Sequence, residues 1–262
     1  MRTSLKSILQ TIFTFRWNPG LDLVVVLISV ILVTASLYTA MIVVTPEVGG
    51  GMPYFFLYAG LTACVFGVGL PVAWMVFHRH RPLSDLGITR KWLVWSIILQ
   101  VVFSIIQFYL TLAKTQVPSL EKVLPLAGLA LAIGFFEALF WRGWVLSRLE
   151  ESFGLLPAIL LGSGLYAIYH IGYGMPWKEI GFLFFIGVLY AVSFRLTKSV
   201  FILWPLYQPL GQMVTLIRDE LQLPLIATLG FVEALVLMLV IIWLAGRYYN
   251  KKIAKGKPLP AA

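Results

Sequence analysis

The chain has 262 residues, 60% of them hydrophobic and 12% charged, where a soluble domain carries about 45–50% and about 25%. That composition excludes a water-soluble globule. The net charge of +9 does not point to nucleic acid, because most of the charges flank apolar segments and there mark orientation in a bilayer.

Apolar segments follow one another at 21–44, 54–77, 93–112, 124–146, 157–173, 180–197, 200–217 and 225–246. Each approaches the ~20 residues that cross ~30 Å of hydrocarbon at 1.5 Å per residue. They predict an all-α, polytopic membrane bundle of about eight transmembrane helices, forming a single membrane domain over 1–262. The sixth and seventh segments are the least regular. Arg195 and Lys198 interrupt them, and Pro205 and Pro209 break the helical pattern of the seventh, which suggests a tilted or partly re-entrant piece. The first segment begins late, is of full span length and has no small-residue cleavage site after it, so a retained helix is expected. Cys64 is the only cysteine, and neither a disulfide nor a thiolate metal site can be built within one chain.

Lys and Arg alternate between the connections. Arg2, Lys6, Arg16, Arg79, Arg81, Arg90, Lys91, Arg148, Arg195, Lys198, Arg247, Lys251, Lys252, Lys255 and Lys257 fall on one side, and Lys114, Lys122, Lys178 and Arg218 on the other. The positive-inside rule then predicts that both termini are cytoplasmic. Membrane lipids are expected partners, and the basic tail after Tyr249 could touch anionic lipid.

Ionisable groups inside apolar runs each cost several kcal/mol unless paired or wetted, so they are the candidate functional residues. Glu137 and Arg142 lie in the fourth segment, His170 in the fifth, Gln208 and Gln212 in the seventh and Glu233 in the eighth. Glu137 and His170 lie almost symmetrically about the polar turn Ser147–Gly154. In an antiparallel helix pair this places them at equal depth. A carboxylate and an imidazole can therefore meet inside the membrane. The plainer alternative pairs Glu137 with Arg142 and leaves His170 bonded to a neighbouring helix, but five residues of regular α-helix set those two side chains about 140° apart. One histidine with one or two carboxylates is a poor zinc set, so no metal and no cofactor are expected.

The stretch F-E-A-L-F-W-R-G (Phe136–Gly143), followed by S-G-L-Y-A-I-Y-H (Ser163–His170), resembles the first two motifs of the CPBP family, the CAAX proteases and bacteriocin-processing enzymes also called Abi. Those motifs read E-E-x-x-x-R and aromatic-x-x-x-H, and a third reads H-x-x-x-N or H-x-x-x-D. The resemblance runs through Phe184–Ser199 and covers a core at 124–216, with a weaker likeness at 86–92. It implies an intramembrane endopeptidase that forms no covalent intermediate. Glu137 would activate water as general base and His170 would orient that water or support proton transfer. Two departures stand out. Ala138 replaces the second acid, which at i,i+4 would hold Arg142, and Gln208-Pro-Leu-Gly-Gln212 replaces the histidine and asparagine whose N–H groups would serve the oxyanion. Glutamine also carries an NH₂ donor.

Three readings follow. One is a CPBP-like peptidase hydrolysing a peptide bond in a membrane-associated or prenylated substrate, with Glu137, His170, Arg142, Gln208 and Gln212 as its site. The second is a catalytically silent relative that binds a membrane-embedded peptide or protein partner as scaffold, assembly factor or regulatory subunit. The third is a transporter or lipid-binding protein with Glu137, Arg142, His170 and Glu233 along a polar path.

Overall fold

A computed structural model describes residues 13–43, 51–111, 113, 116 and 118–254. Arg2, Lys6, Lys114, Lys255 and Lys257 of the charge pattern lie outside them. Every regular element among the described residues is helical, and seven helices are long and apolar enough to cross a membrane. These are α1 (Leu21–Val43), α2 (Met52–His78), α3 (Leu93–Leu110), α4 (Leu120–Phe153), α5 (Leu155–Tyr173), α6 (Trp177–Thr197) and α8 (Ala227–Ile253). The expected seventh segment is not a continuous span. It consists of a 3₁₀ turn at Val200–Ile202, a bend with a cis Trp204–Pro205 bond, and the 12-residue helix α7 (Tyr207–Arg218).

The interruption follows from proline, which removes a backbone donor and blocks helix continuation. Irregular backbone at membrane depth survives only where protein surrounds it. Here Gln100 of α3 accepts the Leu206 N–H at 3.1 Å, and the Trp204 indole N–H donates to the Leu131 carbonyl of α4 at 3.0 Å. Helix α3 exposes most of its apolar surface but buries Ser96, Gln100 and Ser104, residues at i, i+4 and i+8 that form one inward polar stripe.

The broken segment still leads from one face of the bundle to the other. The Val200 N–H donates to the Gly87 carbonyl at 3.1 Å, among the loops that carry most of the basic residues. Val214 and Ile217 pack with Leu126 near the start of α4, and Gly128 of α4 lies against Thr228 at the start of α8. Both described ends of the chain return to the basic face. The Arg16 N–H bonds Phe153 O at 3.1 Å, and Lys252 Nζ lies 3.0 Å from His80 Nδ1. Seven full helices and a broken eighth crossing are the path we propose, with both ends on one side. A reporter inserted at Gly174 and one fused after Ile253 are expected to report opposite compartments, the latter cytoplasmic. Agreement between the two would refute the eight-pass path.

Candidate functional site in the bundle interior

Helix α4 is the most enclosed span, and Glu137 sits near its middle with 2% of its surface exposed. From Ala138 to Leu146 the helix has π-type hydrogen bonding, i→i+5, before α-helix resumes at Ser147. Such segments are rare and concentrate at functional sites. This one changes the register on which the 140° separation rested, because an i→i+5 ladder holds more residues per turn and narrows the angle between a residue and its fifth neighbour. Glu137 and Arg142 accordingly meet the same ring. The Tyr166 hydroxyl lies 3.4 Å from Glu137 Oε2, and the Arg142 guanidinium stands 4.8 Å from the centre of that tyrosine ring.

The carboxylate is held by two helices besides its own. From α7, Gln208 Nε2 donates to Oε2 at 2.7 Å and Gln212 Nε2 to the same oxygen at 2.9 Å. From α5, the Tyr169 hydroxyl donates to Oε1 at 3.1 Å. Oε2 therefore faces three donors, whereas Oε1 takes one and retains acceptor capacity. The two glutamines share a helical face despite Pro209 and Gly211 between them. Pro209 falls in the first turn of α7, where proline is tolerated.

Gln212 depends on a close approach. A Cβ on Gly134 of α4 would stand 2.8 Å from Pro209 Cγ and 3.2 Å from Gln212 Oε1. Gly134→Ala is expected to cost ~1–3 kcal/mol through overpacking and to displace Gln212. Thermal unfolding should report the first effect, and activity at matched abundance the second. An unchanged melting temperature would contradict this packing.

His170 ends the regular part of α5 and is 6% exposed. Its Nδ1 lies 2.7 Å from the Tyr166 carbonyl. A carbonyl only accepts, so Nδ1 carries the proton and the neutral ring presents Nε2 as an acceptor. The imidazole packs edge-on against Tyr166 and Tyr169, with ring centres 4.8 and 4.7 Å away. Both tyrosines touch the Glu137 carboxylate. The expected proximity of Glu137 and His170 takes this form: among the described residues none of the four donors to Glu137 is His170, and two tyrosines link the pair.

Arg142 neither snorkels nor pairs. It is 1% exposed, and among the described residues its three guanidinium nitrogens have no hydrogen-bond partner. A desolvated cation–π contact contributes ~2 kcal/mol, less than the several kcal/mol that burial of an unpaired ion costs. Within the bundle a further source of compensation is the Glu137 carboxylate, which lies against the hydroxyl of the same Tyr166. Glu233 lies apart, exposed on the outer surface of α8, and does not join the polar path of the third reading.

The residues missed from sequence are tyrosines, a residue type that concentrates at membrane interfaces. Tyr166 and Tyr169 are buried, and a hydroxyl chain continues from Tyr169 to Tyr173 at 2.7 Å and on to Tyr58 at 2.5 Å. A signal was available: Tyr166, Tyr169, His170 and Tyr173 follow the i, i+3, i+4, i+7 spacing of one helix face.

Fold and site together define a polytopic helical membrane protein with a buried, multiply hydrogen-bonded carboxylate at its centre. Residues 118–207 match the family model for type II CAAX prenyl endopeptidase, Rce1-like, which is consistent with a CPBP family protein and suggests a CAAX-protease-like function. The match covers about a third of the chain and includes Glu137, Arg142 and His170. It ends one residue before Gln208, where the third motif departs. No curated protein and no solved structure matches the chain.

Proposed function

We propose that the protein is a CPBP-like intramembrane endopeptidase acting on a membrane-associated peptide, with prenylated C-terminal peptides as the first substrates to test. The observation that carries this reading is the burial of the Glu137 carboxylate at mid-bundle among four donors, an arrangement costly enough in a membrane to be a functional centre by default. The family match over the same helices adds support.

In the proposed reaction, Glu137 takes a proton from water through Oε1, the oxygen with acceptor capacity to spare. The hydroxide attacks the scissile carbonyl, and the proton passes to the leaving amine as the C–N bond breaks. His170, through Nε2, accepts a hydrogen bond from the same water and orients it. Each glutamine amide has two N–H bonds. One can hold Oε2 while the other serves the oxyanion, so histidine and asparagine are replaced by neutral donors that also fix the base. Arg142 keeps the cluster neutral and adds positive potential as negative charge moves toward the carbonyl oxygen.

A second reading rests on one observation: both amides are already committed to Glu137, as a stable polar core requires. In that reading the chain is a silent relative that holds a membrane partner. The discriminating experiment reconstitutes the protein in vesicles with prenylated C-terminal peptides and follows products by mass spectrometry. One new C-terminus, produced by the wild-type chain and retained or increased with Gln208→His, supports the peptidase. No product from either chain, with a partner co-purifying in cells, supports the silent relative.

A further inference from the structure

A second polar constellation lies far from Glu137, on the basic face. Arg16, Arg81, Arg148, Arg195 and Lys198 line a cavity of about 350 Å³ together with Asp85, Glu150 and Glu151, giving a net charge of +2. All three acids are already engaged. Arg81 bonds Asp85 at 2.7 Å and Glu151 at 2.9 Å, Arg148 bonds Glu151 at 3.0 Å, and Arg195 bonds Glu150 at 3.2 Å. Among the described residues Arg16 and Lys198 have no ion-pair partner. Arg148 is 2% exposed, and its Nε, like that of Arg195, is buried without a hydrogen bond among the described residues.

The backbone adds to the positive potential. Gly154 and Leu155 line the cavity at the start of α5. The positive end of the peptide dipoles of a full-length span therefore lies beside the same space. Lys198 closes α6 with a left-handed φ of 52°, a position that favours glycine. Strained backbone of this kind concentrates at functional sites.

The cavity also sits at a defined depth. Arg16 precedes α1, Arg81 follows α2, Glu150–Leu155 joins α4 to α5, and Arg195–Lys198 ends α6. Five spans have an end there, so the cavity lies where lipid headgroups lie.

We propose that this cavity is a binding site for a phosphoryl anion at headgroup level, namely the phosphate of an anionic lipid. Guanidinium forks match phosphate oxygens, and the positive end of a helix favours their charge. The +2 balance selects an anionic headgroup over a zwitterionic one. The inference is independent of the peptidase reading.

The test uses the full chain in a neutral detergent, titrated with dioctanoyl phosphatidylglycerol, with dioctanoyl phosphatidylcholine and with inorganic phosphate. Binding is read by native mass spectrometry and by the shift in melting temperature. Phosphatidylglycerol is expected to bind and raise the melting temperature, with the effect weakening as salt is added. Arg16→Gln and Lys198→Gln, both exposed and outside the ion-pair network, should each weaken binding about tenfold and leave the unliganded melting temperature unchanged. Lys251→Gln, in the basic end of α8 away from the cavity, should have no effect. Equal response to inorganic phosphate would keep the site but assign it to free phosphate. Equal binding of phosphatidylcholine, no binding at all, or equal sensitivity to Lys251→Gln would overturn the proposal.

Discussion

Glu137→Gln is expected to lower peptide cleavage by about 10²–10⁴-fold, the contribution of a positioned general base, while the protein stays folded in the membrane at normal abundance. Glutamine has the same shape, and the surrounding groups can accommodate it. Gln208 and Gln212 each have a buried side-chain oxygen without a partner among the described residues. Rotation of either amide would let that oxygen accept from the new NH₂ group. The Tyr166 and Tyr169 hydroxyls can donate or accept by rotation. Base strength is lost while volume and hydrogen bonding are kept. Cleavage, melting temperature and abundance should be measured on the same preparation. Full activity at normal abundance would remove Glu137 as the base. A loss of both activity and abundance would mean that the carboxylate is needed for folding.

Gly143→Val is expected to be the most destabilising single change near the site. A Cβ at position 143 would run into the Leu86 carbonyl, which is backbone and cannot rotate aside. Overpacking of this kind costs ~1–3 kcal/mol and more where the backbone must shift. Leu86 belongs to the short 3₁₀ turn Leu83–Leu86, which also carries Asp85 and leads to Gly87. The same substitution should therefore loosen the basic cavity. A drop of several degrees in melting temperature, together with weaker phosphatidylglycerol binding, is the expected pair of results. Gly143→Ala should show the same effects in smaller degree. A normal melting temperature for the valine variant would show that the Leu83–Leu86 turn is not seated against α4 as described.

Seven spans were legible from hydropathy because insertion is decided by transfer energies summed over about 20 neighbouring residues, a local property of the chain. Glu137 and His170 were legible for a related reason. Their almost symmetrical placement about Phe153 follows from counting along one helix pair. The charge alternation predicts a shared side for both ends, which requires the broken seventh segment to complete a crossing.

Only the tertiary structure decided the partners. Gln208 and Gln212 meet Glu137 across 71 and 75 residues of sequence, and whether they do so depends on the rotation and depth of α7 against α4. Spacing within either segment leaves both free. The close approach at Gly134, the π-type register after Glu137 and the bend at Pro205 set them together. That register also undoes the separation of Glu137 from Arg142 that regular helix geometry implies. Tyrosines that composition assigns to the interface become interior donors once α5 turns the Tyr166, Tyr169 and Tyr173 face toward α4. The basic cavity exists because five helix ends converge at one depth, and no stretch of the sequence taken alone contains it.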